Sequence, residues 1–233
     1  MTLAGIELEL VRKDIKNLHL AVYPPDGRVR LAAPHSTDEE TLEMYVATKI
    51  PWIRRQQREI EAQPRQSERQ FLDRESHYFL GHRYLLRVLP LEAGMHWGQV
   101  VPKGKRYLNL HVEDLGNVEA KRRIIEKWYR RELRSMLEEL VPAWESKLGV
   151  QAKGWRIRGM RTKWGSCNPD NGTMLFNLEL ARQPLDCIEY VVAHELAHLI
   201  ERKHNDRFVA VLDAHLPQWR HLRETMKSLP IIS

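Results

Sequence analysis

The sequence predicts an α+β protein, with a strand-rich N-terminal half and a C-terminal half built of helix, hairpin and helix. Three observations predict it: strand-like runs recur before residue 115, an apolar stripe at helical spacing follows Asn117, and Asn171-Gly172 separates two further strand-like runs. We divide the chain into 1–115, a strand-rich region with a helical insertion at about 37–63, and 116–233, which carries the chemistry. Hydrophobic residues make up 42% and charged residues 29% of the 233 residues, values of a globular chain that exclude a collagen-like or extended disordered one.

The first strands are expected at Ile6–Val11, Leu18–Val22 and Val29–Ala32, with Pro24-Pro25-Asp26-Gly27 as a turn. Ser36 and Glu39 have the spacing of a capping box, and Leu42, Val46, Ile50, Ile53 and Ile60 keep a rough helical period that Pro51 should kink or divide. Strands return at Tyr84–Leu89, Gln99–Val101 and Arg106–Leu110. Asn117 is the expected N-cap of the longest helix. Its stripe of Ile124, Trp128, Leu133, Leu137, Leu140, Trp144 and Leu148 is interrupted by Pro142 and stopped by Gly149. Three short strands follow, at Trp155–Arg158, Lys163–Cys167 and Thr173–Leu178. Pro184 then opens a helix through Ile188, Val191, Val192, Leu196 and Leu199, and one or two more helices, broken at Pro217, close the chain. No internal repeat is visible.

No apolar run approaches the roughly 20 residues that cross a bilayer. The N-terminus alternates apolar and polar residues unlike a secretory signal, so a cytoplasmic protein without membrane partners is expected. Cys167 and Cys187 should then be free thiols. The net charge of +6 gathers in blocks at Arg54, Arg55 and Arg58, at Lys121–Arg123 and at Lys127–Arg134. These read first as solvated helix faces, and second as a footprint for nucleotide or nucleic acid.

The chemically pointed feature is His194-Glu195-Leu196-Ala197-His198. Histidines at i and i+4 share one helix face, where both imidazoles reach a single divalent ion, with zinc preferred. Glu195 stands next to the first ligand, where it can take a proton from an activated water. With 11 His and 22 Glu in the chain, a shuffled sequence would hold this pattern about one time in twenty, so its apolar helical context is needed to give it weight. A third ligand is required. We favour His204, with Glu201, His215, His221 and Glu224 as alternatives, and expect the helix to run on to Arg202 or Lys203 before His204 folds back. Asn205 or Asp206 would cap the next helix.

Met160–Cys167, with its Lys-Trp-Gly-Ser-Cys run, then Phe176-Asn177, Leu180, Pro184, Ile188–His198 and His204, resemble the YgjP-like metallopeptidase family, itself similar to the SprT and WLM zincin-like groups. Asp26-Gly27-Arg28, Ala33-Pro34, Trp52-Ile53 and Gly81–Tyr84 extend the resemblance over nearly the whole chain. Lys163 stands where arginine is expected, and Val209 where an aromatic often follows Phe208. The resemblance implies a zincin-like C-terminal minidomain, a zinc ion on His194, His198 and His204, and Glu195 as the acid/base. Trp164, Gly165, Ser166, Asn177 and Tyr190 are candidates for the substrate cleft, and the strand Leu175–Leu178 for an edge that an extended peptide joins. A peptide or protein substrate is the first expectation. A phosphoanhydride hydrolase acting on nucleoside triphosphates, or a nucleic-acid-associated protein with a structural metal, are the alternatives.

Overall fold

The computed structural model describes residues 2–23, 26–62, 69–95, 97–160 and 162–228. Pro24 and Pro25 of the expected turn, and Arg161 of the Met160–Cys167 run, lie outside them. The chain divides into two compact units, Met1–Ser67 and Glu68–Ser233. That division precedes the one read from the sequence at residue 115. The reason is packing: the strands of residues 76–112 share one core with the helices that follow them.

In the first unit β1 (Thr2–Leu3), β2 (Ile6–Lys13), β3 (His19–Tyr23) and β4 (Arg28–Pro34) form a sheet in the order β1-β2-β4-β3, followed by α1 (Glu39–Ala62). Strands β2 and β4 are parallel, and the two outer pairings are antiparallel. Alternation does the sorting: Ile6 and Leu8, then Val29, Leu31 and Ala33, point to one face and bury against Leu42, Val46 and Ile53 of α1. Asp38 caps this helix instead of Ser36, its carboxylate accepting from the Thr41 amide at 2.7 Å and the Thr41 hydroxyl at 2.9 Å. Those hydrogen bonds hold its carboxyl below the usual range. Pro51 neither divides nor ends α1, which is continuous across it.

The second unit opens with β5 (Ser76–Phe79), β6 (His82–Pro90), β7 (Gln99–Lys103) and β8 (Tyr107–Val112), in the order β5-β6-β8-β7, again with a parallel central pair between antiparallel outer ones. A long helix, α2 (Val118–Leu148), follows. Both units therefore carry the same four-strand topology with a helix behind it, a repeat that the sequence does not display. The strand pairs β1-β2 and β5-β6 even turn alike. Ala4-Gly5 and Leu80-Gly81 all have positive φ, as a two-residue type I′ turn requires. Alanine and leucine are poor markers of that turn, which hid β1 and β5 from the sequence reading.

Helix α2 is the spine of the second unit. Asn117 caps it, accepting from the Ala120 amide at 2.9 Å, and Gly149 ends it at φ 66°. Pro142 does not interrupt it. Its buried stripe is Ile125, Trp128, Tyr129, Leu133, Leu137, Val141 and Trp144. The basic blocks on it are only partly solvated: Lys121 is buried and donates to the Phe71 carbonyl at 3.1 Å, and Arg130 donates to the Ile157 carbonyl at 2.6 Å.

On this spine rest a three-stranded sheet and four helical segments. The sheet comprises β9 (Gly154–Arg158), β10 (Gly165–Asn168) and β11 (Thr173–Asn177), in the order β10-β11-β9. The β10-β11 hairpin closes through Asn168–Gly172 as expected. A 3₁₀ turn at Leu178–Arg182 leads to α3 (Leu185–Ala197), α4 (Asp206–His215) and α5 (Trp219–Ser228). None of the described helices is long and apolar enough to cross a membrane. Cys167 and Cys187 are unbridged.

The β5-β6 turn is fastened to the segment before α3: Leu80 and Gly81 amides donate to the carbonyls of Ala181 and Arg182 at 3.1 and 3.0 Å. A Cβ on Gly81 would lie 2.8 Å from Pro184 Cγ, whereas one on Gly94, also at positive φ, would meet nothing within 4 Å. Gly94→Ala should cost about 1 kcal/mol through backbone strain alone, and Gly81→Ala clearly more. Urea denaturation of the two variants gives the difference, and equal losses would show that the Pro184 contact carries no energy.

Candidate metal centre

Helix α3 is buried on nearly every side, with Cys187, Ile188, Val191, Val192, Ala193, Leu196 and Ala197 all in the core. Two imidazoles of this helix and its C-cap, His194 and His198, face one place, and the buried Glu195 side chain lies against Gly165 of β10. The helix ends at Ala197 with His198 as C-cap, earlier than expected from sequence. Amides of Ile200 and Glu201 both return to the Ala197 carbonyl, at 3.0 and 2.9 Å, so the chain leaves the helix in tight turns. Those turns bring His204 back over α3. Asn205 then caps α4, accepting from the Phe208 amide at 3.1 Å.

The result is a cluster in which one ligand atom from each of His194, His198 and His204 lies within 4.8 Å of the others. The Nε2 atoms of His194 and His204 face each other at 3.1 Å. Two nitrogens each about 2.05 Å from a tetrahedral ion would be about 3.3 Å apart, so this pair already has the spacing of shared ligands. Nδ1 of His198 pairs with the Glu201 carbonyl at 3.1 Å, which fixes the ring and leaves Nε2 for the cluster. Phe208, the third residue of α4, presents its ring to all three imidazoles, with centroids 5.0, 4.7 and 4.8 Å from those of His194, His198 and His204. The sequence reading gave Phe208 no role. Its signal was a lone aromatic one turn after His204, which resembles any core residue.

Electrostatics favour neutral, ligand-ready rings. Burial, followed by the two neighbouring histidines, pushes His194 down to about 3. Burial also lowers His198, with His204 adding to the effect. Glu195 is 6% exposed, and burial raises its carboxyl to about 7 against the opposing pull of Lys163 and the Cys167 amide. A neutral imidazole pair and a third imidazole could hold a divalent ion, and a carboxyl poised near neutrality can accept a proton.

The expected cleft residues separate into different roles. Gly165 lies against Glu195: a Cβ there would stand 2.5 Å from Oε1 and 2.7 Å from Cγ of the glutamate. Its strand β10 is the sheet edge on this side, whereas the strand containing Leu175–Asn177 is the central one, so the expected edge moves from β11 to β10. Ser166 is half-buried on β10, and Trp164 packs on the core. Asn177 is fully buried. It donates to the carbonyls of Met160 and Lys163, both at 2.8 Å, while its oxygen accepts from the Met160 and Glu179 amides. It pins the loop ahead of β10 and has no donor left for a substrate. Tyr190 is 7% exposed and meets the His194 ring edge-on at 5.7 Å, which makes it a support for that ring. Burial, reinforced by Glu195, pushes the Cys167 thiol up to about 11, which keeps it protonated. Of the alternative ligands, Glu201 turns its Oε1 to the Lys203 amide at 3.1 Å.

Three imidazoles converging from a buried helix and its return loop could hold a divalent ion, and the class of protein is that of a metal-dependent hydrolase. The chain belongs to the YgjP-like family, whose metallopeptidase domain matches residues 16–229. Among solved structures it is similar to the metallopeptidase zymogen abylysin of Pyrococcus abyssi, at 21% identity over 39% of this chain and 90% of that one, with a TM-score of 0.37. It is also similar to the metallopeptidase zymogen jannalysin of Methanocaldococcus jannaschii, at 17% identity over 39% and 86% of the two chains, with a TM-score of 0.36. No match was found among curated proteins.

Gly165→Ala should displace the Glu195 side chain without touching the histidines. Hydrolytic rate should fall by at least about tenfold while bound metal stays at the wild-type level. Asn177→Ala should instead destabilise the fold by about 1–3 kcal/mol, since the loop carbonyls of Met160 and Lys163 lose their donor and a fully buried side chain is removed. Thermal melting beside metal analysis separates the two effects, and a Gly165→Ala protein of full activity would remove the close approach from the catalytic account.

Proposed function

We propose that this protein is a zinc-dependent peptidase in which His194, His198 and His204 hold the ion and Glu195 is the general base. The observation that carries the reading is the convergence of the three imidazoles, two of them 3.1 Å apart at Nε2, with the buried Glu195 next to His194 on the same helix. An ion held there would act as a Lewis acid on the scissile carbonyl and make a water acidic enough to attack it near neutral pH. The residues of the chain do the rest. Glu195 takes the proton of the attacking water and returns it to the leaving amine, and its raised affinity for a proton suits both halves of that transfer. Gly165 leaves the carboxylate room to sit against β10, and the Cys167 amide and Lys163 keep it aimed and partly ionised. The outer edge of β10 runs beside this carboxylate, which suits an extended peptide held by main-chain hydrogen bonds.

Plasma mass spectrometry of the wild type, His204→Ala and Glu195→Gln tests the ligand set. The expected outcome is about one zinc per wild-type chain, a clear loss in His204→Ala and retention in Glu195→Gln. Hydrolysis of an unfolded protein substrate should fall by about a hundredfold or more in Glu195→Gln. It should also stop on chelation and return when zinc is added. Nucleoside triphosphates run in parallel distinguish the bond cleaved: turnover of these and not of peptides would replace the peptidase reading. A wild type that stays metal-free after zinc is supplied would remove the site itself.

A further inference from the structure

We propose that the C-terminal half of α1 is a binding site for single-stranded nucleic acid, with bases stacking on Tyr45 and Trp52 and phosphates held by Lys49, Arg55 and Arg58. These five side chains line an open groove of about 600 Å³, floored by Leu20 of β3 and Pro51. The volume is that of an ordinary ligand site. Tyr45, Lys49, Trp52 and Arg55 follow one another at steps of four, three and three residues, so aromatic and cationic groups alternate along one helix face. From Tyr45 to Arg58 the helix rises about 20 Å, the length of about six nucleotides stacked at 3.4 Å.

Acidic residues stand at both ends of α1, with Glu59 and Glu61 in its last turns, and the cations Lys49, Arg54, Arg55 and Arg58 lie between them. Glu39, Glu40 and Glu43 occupy its first turns, and among the described residues lining the groove none is acidic. A second groove of the same unit makes the contrast: Glu7, Glu9 and Asp26 line it together with Arg28 and Arg54, a mixture that gives a polyanion no net attraction. Tyr45 and Trp52 are half-buried, fixed in place by their inner edges while part of each ring borders the groove. Fixed aromatic faces between cations are the arrangement that binds single strands with little sequence preference, because every base offers a π-face. An acidic peptide would satisfy the cations and leave the rings unused. The site lies wholly within the first unit, so it stands independently of what the metal centre cleaves.

Fluorescence anisotropy of the full-length protein with a labelled oligothymidylate of about fifteen nucleotides tests this. Saturable binding is expected at low salt. The logarithm of affinity should fall against the logarithm of salt with a slope of about −2, the value for three phosphates on a single strand. Trp52→Ala should weaken binding about tenfold and Trp52→Phe much less, while the exposed pair Lys49→Glu with Arg58→Glu should abolish it. Circular dichroism melts and metal content equal to wild type certify that each variant is folded. No anisotropy change at low salt overturns the proposal. So does binding that survives the double charge reversal. Displacement of the oligonucleotide by an equal concentration of polyglutamate, with Trp52→Ala neutral, would assign the groove to acidic peptides instead.

Discussion

The candidate centre depends on how completely α3 is enclosed. A helix buried on nearly all sides has no freedom to rotate, so the direction in which His194 and Glu195 point is set by the packing of Cys187, Ile188, Val192 and Leu196. The same enclosure removes water from the polar groups. That desolvation makes an imidazole hard to protonate and a carboxyl easy to protonate. One constraint therefore sets both the geometry of the donors and their protonation.

Around α3 the second unit is organised to hold the helix ends. The β5-β6 turn is bonded to the carbonyls of Ala181 and Arg182, just ahead of the Pro184 that opens the helix. At the other end, turns returning to Ala197 and the Asn205 cap fix where the chain reverses. Asn177 does comparable work for the loop before β10, with all of its amide group engaged by backbone.

Local signals were legible in the sequence where one residue type answers one need. Asn117 and Gly149 mark the ends of α2, Asn171-Gly172 marks the hairpin, and the spacing of His194 and His198 marks a shared face. Legibility failed where tertiary contacts override local preference. Leu80 adopts positive φ because its amide and that of Gly81 are bonded to distant carbonyls. Pro51 and Pro142 stay inside helices because packing on either side holds the helix together. Asn177 and Tyr190 look like cleft residues in a motif, but their burial is decided by elements far away in the chain. The unit boundary at Ser67 and the repeated strand topology escaped for the same reason, since both are properties of pairing between strands.

The three imidazoles do not have equal footing. His194 and His198 stand on the buried helix and its C-cap, whereas His204 is exposed and comes from the irregular segment between Ala197 and Asp206. In chelation terms, two donors belong to the buried framework and the third is supplied by a surface turn. An ion held there would face solvent on the His204 side, where the cluster is exposed. Phe208, whose ring meets all three imidazoles, ties this surface donor to the two on the buried framework.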